Sequence, residues 1–303
     1  MPVLGWTQSL PQFSQYIFNQ FYLNPGSAGI SNKAQVQASG RSQYTGYIAD
    51  SDPGGSSFTT IFSADLPMQK LKGGVGIYLS NNTFSSIQSK QELQISYSFH
   101  KRFNNSIFGA GFSVGNNTLK LFGENYRPRD LEDPLIPSNN ININNFDLNA
   151  GVFVQNPIYQ AGISVKNILK PVYSITNEGE GYTDTRQYIL SGKYDLGVTY
   201  TLDISPMFII KSDLKNHSTE LGVITTYNQW IWGGFNYRWQ DAVSAMIGAN
   251  VLKSNLKLGY SIDFVSFGTI AKSSTSHEFF VRYMLSVPKF GKKSIVRTPR
   301  YSF

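Results

Sequence analysis

Apolar and polar positions alternate along most of this chain, most plainly between Ala242 and Phe264. There Val243, Ala245, Ile247, Ala249 and Val251 alternate with Ser244, Met246, Gly248 and Asn250. After Lys253-Ser254-Asn255 the pattern resumes, with Leu256, Leu258, Tyr260, Ile262 and Phe264 against Lys257, Gly259, Ser261 and Asp263. Side chains on a strand point alternately to two faces, so this stretch predicts a β-hairpin with one apolar and one wet face. Each strand is about ten residues long, enough to cross a bilayer at a tilt.

The same reading gives fourteen candidate strands, at 32–41, 56–65, 71–80, 90–101, 106–115, 144–155, 158–167, 187–197, 203–212, 218–227, 230–239, 243–252, 255–264 and 276–286. Leu93, Ile95, Tyr97 and Phe99 against Gln94, Ser96, Ser98 and His100 form one of the cleanest; the stretch Tyr194 to Asp203 divides least clearly. Links after strands 2, 4, 6, 10 and 12 are short, whereas Ser42–Gly55, Asn81–Ser89, Asn116–Ile143, Ile168–Arg186 and Val265–Thr275 are mostly longer. Asp213–His217 and Gln240–Ala242 are short exceptions on the long side. Outer-membrane barrels have short periplasmic turns and long outer loops, and a soluble sandwich has no reason to keep that alternation. The predicted fold class is therefore all-β, a transmembrane antiparallel barrel of about fourteen strands over residues 32–287. Its phase places both termini in the periplasm and the long loops outside the cell.

Composition supports this reading. Charged residues are 15% of the chain and aromatics 14%, against about 25% charged in a soluble protein. No apolar run approaches the ~18 residues of a membrane-spanning helix, and mean hydropathy is slightly negative. An apolar outside, a polar inside and no helical span describe a barrel in a bilayer. The chain has no cysteine, which excludes disulfides and thiolate chemistry. Residues 1–8 resemble the end of a signal-peptide core without its basic region, and are expected to be a remnant of one or a disordered start.

Two further regions stand apart from the strands. In residues 9–31 the large side chains Phe13, Tyr16, Ile17, Phe21 and Tyr22 do not follow period two, and Asn24-Pro25-Gly26 carries turn chemistry. A folded segment here would plug the lumen or lie against the barrel mouth, with Gln12, Phe13, Tyr16, Phe18, Asn19, Tyr22, Asn24 and Pro25 as candidates for the plug or for contact with a partner. Residues 288–303 hold Lys289, Lys292, Lys293, Arg297 and Arg300 with no acid, five of the net +7. That tail is expected in the periplasm, with Lys292, Lys293, Arg297 and Arg300 as candidate partner contacts. A nucleic-acid partner does not suit an exported barrel.

The strand phase turns Asp147, Lys166, Lys257, Asp263, Glu278 and Arg282 toward the lumen, either bridging a plugged interior or lining a pore. Loop acids include Glu124, Asp130, Glu132 and Asp133, then Glu178, Glu180 and Asp184, and Asp50 and Asp52 ahead of Gly54-Gly55. The glutamate that closes a calcium loop is missing, so solvated loop charge is the better reading. The glycines of Gly73-Gly74-Val-Gly76 and Gly109-Ala-Gly111 precede no helix and read as bends or close strand approaches. His100, His217 and His277 have no ligand spacing, and no G-x-S-x-G turn occurs. The expectation is a protein that is not an enzyme and has no metal or other cofactor.

An ordered set of short matches runs along nearly the whole chain. It comprises Pro11-Gln-Phe-Ser-Gln-Tyr16, Asn19, Tyr22-Leu-Asn-Pro25, Ala28-Gly29, Arg41-x-Gln43-Tyr44 and Gly162-Ile-Ser-Val-Lys-Asn167. Gly233-Gly-Phe-Asn-Tyr-Arg238, Asp241-Ala242, Leu258-Gly-Tyr260-Ser-Ile-Asp263 and Ser276-His-Glu278 follow. Together they resemble the PorP/SprF family of type IX secretion membrane proteins. Asn19-Gln20-Phe21 departs where the family more often has proline, and Tyr44 where tryptophan is common. The resemblance implies a Bacteroidota outer-membrane barrel of the type IX secretion and gliding-motility apparatus, partnering the secretion or surface attachment of a large adhesin through its C-terminal domain. It also implies association with other type IX outer-membrane components or with a periplasmic peptidoglycan-binding protein, an anchoring role being one alternative. A pore for a small solute is the other.

Overall fold

The computed structural model describes residues 11–45, 56–84, 87–125, 139–174, 181–266 and 275–286. Fourteen strands form the wall: β1 (Lys33–Gln43), β2 (Ser57–Met68), β3 (Gly73–Phe84), β4 (Gln88–Phe103), β5 (Ser106–Leu121), β6 (Ile141–Gln155), β7 (Tyr159–Lys166), β8 (Gln187–Tyr194), β9 (Leu202–Ser212), β10 (His217–Tyr227), β11 (Ile231–Arg238), β12 (Ala242–Val251), β13 (Leu256–Val265) and β14 (Thr275–Ser286). Every strand pairs antiparallel with its neighbours in sequence. β1 pairs with β14 from Lys33↔Ser286 to Ser42↔His277, so the sheet closes without an edge. Closure satisfies the backbone groups that a bilayer cannot.

Alternation sets the two faces. On β4, Leu93, Ile95 and Phe99 are exposed, whereas Gln94, Ser96 and Ser98 are buried. On the hairpin of β12 and β13, Val243, Ile247, Leu258 and Phe264 point out while Ser244, Ser261 and Asp263 point in. Outward-facing apolar side chains such as Phe62, Ile163 and Phe235 continue this surface around the barrel. So large an apolar surface is stable only against lipid. Exposed Trp230 and Trp239 bracket β11. Nine residues span about 30 Å of strand, or roughly 23 Å of membrane depth at a ~40° tilt.

The six links at one end are compact. Lys72, Asn104, Asn228, Gln229, Leu252, Lys253 and Ser254 all take positive φ there. At the opposite end the longer links follow β1, β5, β7 and β13. The structure corrects the expectation at three links. Asn81–Ser89 is mostly strand, with β3 and β4 paired out to Phe84↔Gln88. Ile168–Arg186 is not a plain loop, for Val172–Ser174 and Gly181–Thr183 pair as a two-stranded hairpin. The eighth strand stops at Tyr194, and Leu196–Gly197 turns to pair with Asp203 and Ile204 of β9. At the long-link end Asp213 shapes the tight link to β10. Its Oδ1 accepts the amides of Lys215 at 2.9 Å and Asn216 at 2.6 Å. Partial burial opposes ionisation, yet those amides hold the Asp213 carboxyl below its ordinary range.

Residues 11–30 lie inside the barrel as a 3-10 turn (Tyr16–Phe18), one α-helical turn (Gln20–Leu23) and a second 3-10 turn (Pro25–Ser27). Every residue from Gln12 to Asn19 and from Phe21 to Ile30 is buried. The interior accordingly differs from the polar lumen expected of an empty barrel. Phe13, Tyr16, Ile17, Phe18, Phe21, Tyr22 and Leu23 pack against Ile61, Tyr78, Ile189, Met207, Ile224, Trp232 and Phe280 of the wall. The aromatic groups of the segment require apolar partners, and the wall supplies them at matching depth.

Candidate functional site

Ser14 is the point at which the segment is fastened. Its Oγ donates to Asp263 Oδ1 at 2.7 Å, and its amide donates to Glu278 Oε2 at 2.8 Å. Arg41 Nη1, Arg238 Nη2 and Ser244 Oγ approach the same hydroxyl at 3.3, 3.1 and 3.2 Å. Asn236 donates to the Ser14 carbonyl, and the Gln15 amide donates to Glu278 Oε1 at 3.1 Å. Around this point Arg41 pairs with Asp263 at 2.6 Å and with Glu278 at 3.3 Å, while Arg238 pairs with Glu220 at 2.8 Å and with Asp241 at 3.1 Å. These side chains come from β1, β10, β11, β13 and β14, with Asp241 from the link after β11, so one serine joins strands far apart in sequence. Burying charge is costly unless it is paired and hydrogen-bonded; here both guanidiniums are ion-paired and both donate to Ser14, while Arg41 Nε has no hydrogen-bond partner among the described residues.

Lower in the barrel the segment rests on glycine. A Cβ on Gly74, Gly109, Gly111 or Gly151 would collide with the backbone of Ala28, Gly26 or Pro25, or with the Asn24 amide. Asn24 Nδ2 donates to the carbonyls of Val152 and Ile163 at 3.0 and 3.1 Å. Ser98 Oγ reaches the Gly26 carbonyl, Ser164 Oγ the Leu23 carbonyl, and the Gly29 amide Asp65 Oδ2, at 2.7–2.8 Å. The glycine-rich stretches of β3 and β5 thus form a groove in the wall for a second backbone. The strand reading foresaw close approach without foreseeing what approaches.

The charge ring lies near the long-link end and the glycine groove nearer the short-turn end, so residues 11–30 cross the lumen from one end to the other. Pro11 lies beside Lys211, the penultimate residue of β9 at the long-link end, whereas Ser286 closes β14 at the opposite end. Lys211 Nζ also donates to Gln12 Oε1 at 3.0 Å. All eight segment candidates fall within this crossing: Gln12, Phe13, Tyr16, Phe18, Asn19, Tyr22, Asn24 and Pro25. Phe18 stacks on Phe280 and lies tilted against Trp232, at 4.8 Å to each ring.

The six lumen candidates all face inward and form three groups. Asp263 and Glu278 belong to the Ser14 ring. Lys166 pairs with Glu92 at 3.2 Å and sits 3.8 Å above the Tyr22 ring, and Asp147 lies beside it with Oδ1 accepting the Leu169 amide at 3.2 Å. Lys257 and Arg282 are cross-strand partners near the short-turn end, both over Phe18. Arg41, Glu220, Arg238, Glu92 and Lys211 were missed. Each occupies the inward phase of its strand, so the alternation that selected Asp263 would have selected them too. Lys90 and Asp184 pair at 2.6 Å, and Tyr173 Oη donates to Asp184 at 3.2 Å, which seats the two-stranded hairpin at the long-link end. Asp184 is therefore engaged and not a freely solvated loop acid.

Several other candidates fall outside the described residues: the start at 1–8, Asp50 and Asp52, Asp130, Glu132, Asp133, Glu178 and Glu180, and Lys292, Lys293, Arg297 and Arg300 of the tail. Among the described residues no cluster of histidines and acids has the makings of a metal site. His100 instead meets the Ala28 carbonyl at 3.1 Å, and His277 Nδ1 the Tyr260 hydroxyl at 2.7 Å.

The barrel is similar to solved outer-membrane structures. A Pseudomonas aeruginosa FadL homologue superposes with a TM-score of 0.51 at 11% identity, covering 87% of this chain and 92% of that one. The Ralstonia pickettii toluene transporter TbuX gives 0.50 at 9%, covering 88% and 93%, and the monoaromatic hydrocarbon channel CymD gives 0.53 at 8%, covering 89% and 92%. At such identity the likeness concerns the fold alone. No curated protein matches the chain. A family model described as type IX secretion system membrane protein PorP/SprF matches residues 6–283, from the filled lumen through the strand that closes the barrel. The chain belongs to the PorP/SprF family of outer-membrane β-barrels.

Proposed function

We propose that this barrel is a fixed outer-membrane partner of the type IX apparatus, serving the secretion or surface attachment of a large adhesin through that adhesin's C-terminal domain. The observation that carries the reading is the filled lumen. A segment clamped at Ser14 and seated on a glycine groove leaves the outer surfaces and the loops as the places for partners, and it argues against passage of a solute. Family membership supports the type IX assignment.

In this reading the short turns lie in the periplasm and the long links at the cell surface. The tail at 288–303 then extends from Ser286 into the periplasm, where its cations meet an acidic or peptidoglycan-binding partner. Loss of the protein should remove the adhesin from the cell surface, and pull-down should recover the adhesin's C-terminal domain. Normal display in a deletion strain would refute the proposal. Steady ion conductance in planar bilayers would instead favour a pore for a small solute.

A further inference from the structure

A cavity of about 200 Å³ remains beneath the segment at the short-turn end. Asn19, Gln20, Gln37, Asp65 and Arg282 are among the residues that line it, with Phe18 and Tyr22 above. Two features of this space bear on a ligand. The first is charge. Arg41, Lys90, Lys166, Lys193 and Arg238 each have an ion-pair partner. Arg282 and Lys257 have none among the described residues, although they stand side by side on β14 and β13. Arg282 donates through Nε to Gln37 at 2.8 Å and through Nη2 to the Phe18 carbonyl, which leaves Nη1 without a hydrogen bond among the described residues. Asp65, the acid lining the cavity, accepts from the Gly29 amide and attracts Arg282 across the space without closing to an ion pair.

The second is hydrogen bonding. Asn19 is only 4% exposed, and its Nδ2 has no partner among the described residues; the Gln20 Nε2 is likewise unpaired. Neighbouring like charges destabilise a strand pair, and buried donors left unmade are costly. Within the lining, a guanidinium with a free N–H and two amide donors are jointly complementary to a carboxylate that carries an adjoining carbonyl, and the Lys257 ammonium, outside the lining, adds positive charge from the next strand. The volume is small beside the ~300–1,000 Å³ of drug-sized pockets, so the ligand is short.

We propose that this cavity binds a carboxylate flanked by an amide and entering from the short-turn end. The C-terminal residue of a polypeptide carries that chemistry, and so does a small N-acylated amino acid. The inference does not depend on the secretion role proposed above. The test uses the full-length protein in detergent micelles. N-acetyl-glycylglycine is the probe, its C-terminal amide is the control, and binding is read by saturation-transfer NMR and by fluorescence of Trp232, which packs against Phe18. The free acid should bind saturably and the amide about tenfold more weakly, the loss of one charge-assisted bond. Arg282→Gln should weaken the acid by a similar factor and Lys257→Gln, which removes charge from the next strand, by a smaller one, with Lys193→Gln unchanged. The Lys257 variant keeps the test valid if Arg282→Gln misfolds, since Lys257 makes no hydrogen bond to the segment. Tighter binding of a ten-residue peptide with the same terminus identifies a chain end as ligand, and equal binding identifies a small acylated amino acid; either supports the site. Equal binding of the amide, undiminished binding by folded variants, or no saturable binding of the acid overturns it.

Discussion

At Ser14 the requirements on a single side chain are severe. Its hydroxyl donates to Asp263 while lying between two guanidiniums, and its amide serves Glu278. Removing the hydroxyl alone leaves Arg41 and Asp263 paired, so Ser14→Ala should cost only about 1 kcal/mol. Arg238→Met is different, because it strands Glu220 in the lumen. We expect a loss of about 3–5 kcal/mol in urea unfolding from lipid vesicles, and much of it recovered in the Arg238→Met, Glu220→Met double variant. Equal effects of Ser14→Ala and Arg238→Met would contradict this view of the ring. Gly111→Val tests the groove: its Cβ meets the Pro25 carbonyl, and overpacking of this kind costs about 1–3 kcal/mol. Asp263 and Glu278 were legible as inward charges because period two fixes the face of every strand residue. Their convergence on Ser14 was not, since local pattern carries no information on which strands face each other across a lumen.

Among the elements, the strands were the most legible part of the chain. All fourteen sit close to their expected positions because each must alternate to separate lipid from interior. The misread elements are those that leave the bilayer. β3 to β6 run 12–16 residues, longer than a crossing needs, and in the upper part their polar outward side chains blur into loop composition. Asn116 and Thr118, for example, both bond Asn144 across β5 and β6. The segment at 11–30 showed only that it was not strand, for turns this short have no periodicity to detect. Within the bilayer, Ile247→Arg on the lipid face should cost about 2–4 kcal/mol near the midplane, measured by the same vesicle unfolding, whereas Ser244→Ala should cost much less. Orientation is testable because the chain has no cysteine. With short turns in the periplasm, a cysteine at Lys215 should react with a membrane-impermeant maleimide on intact cells, and one at Asn104 only after permeabilisation. The reverse pattern would invert the topology.

For the whole molecule, the wall and the segment within it form one packed object. The ion pairs and hydrogen bonds around Ser14, the aromatic stack at Phe18 and the glycine groove act at successive depths, so no single contact holds the segment. A barrel filled in this way is suited to presenting its rims and loops to other proteins. The most direct measurement is single-channel conductance in planar bilayers, comparing the full chain with a variant lacking residues 11–30 whose barrel is shown to be folded. The full chain should give no steady current, and the deletion should open ohmic steps. Steady conductance from the full chain, unchanged by the deletion, would show that the segment does not close the lumen.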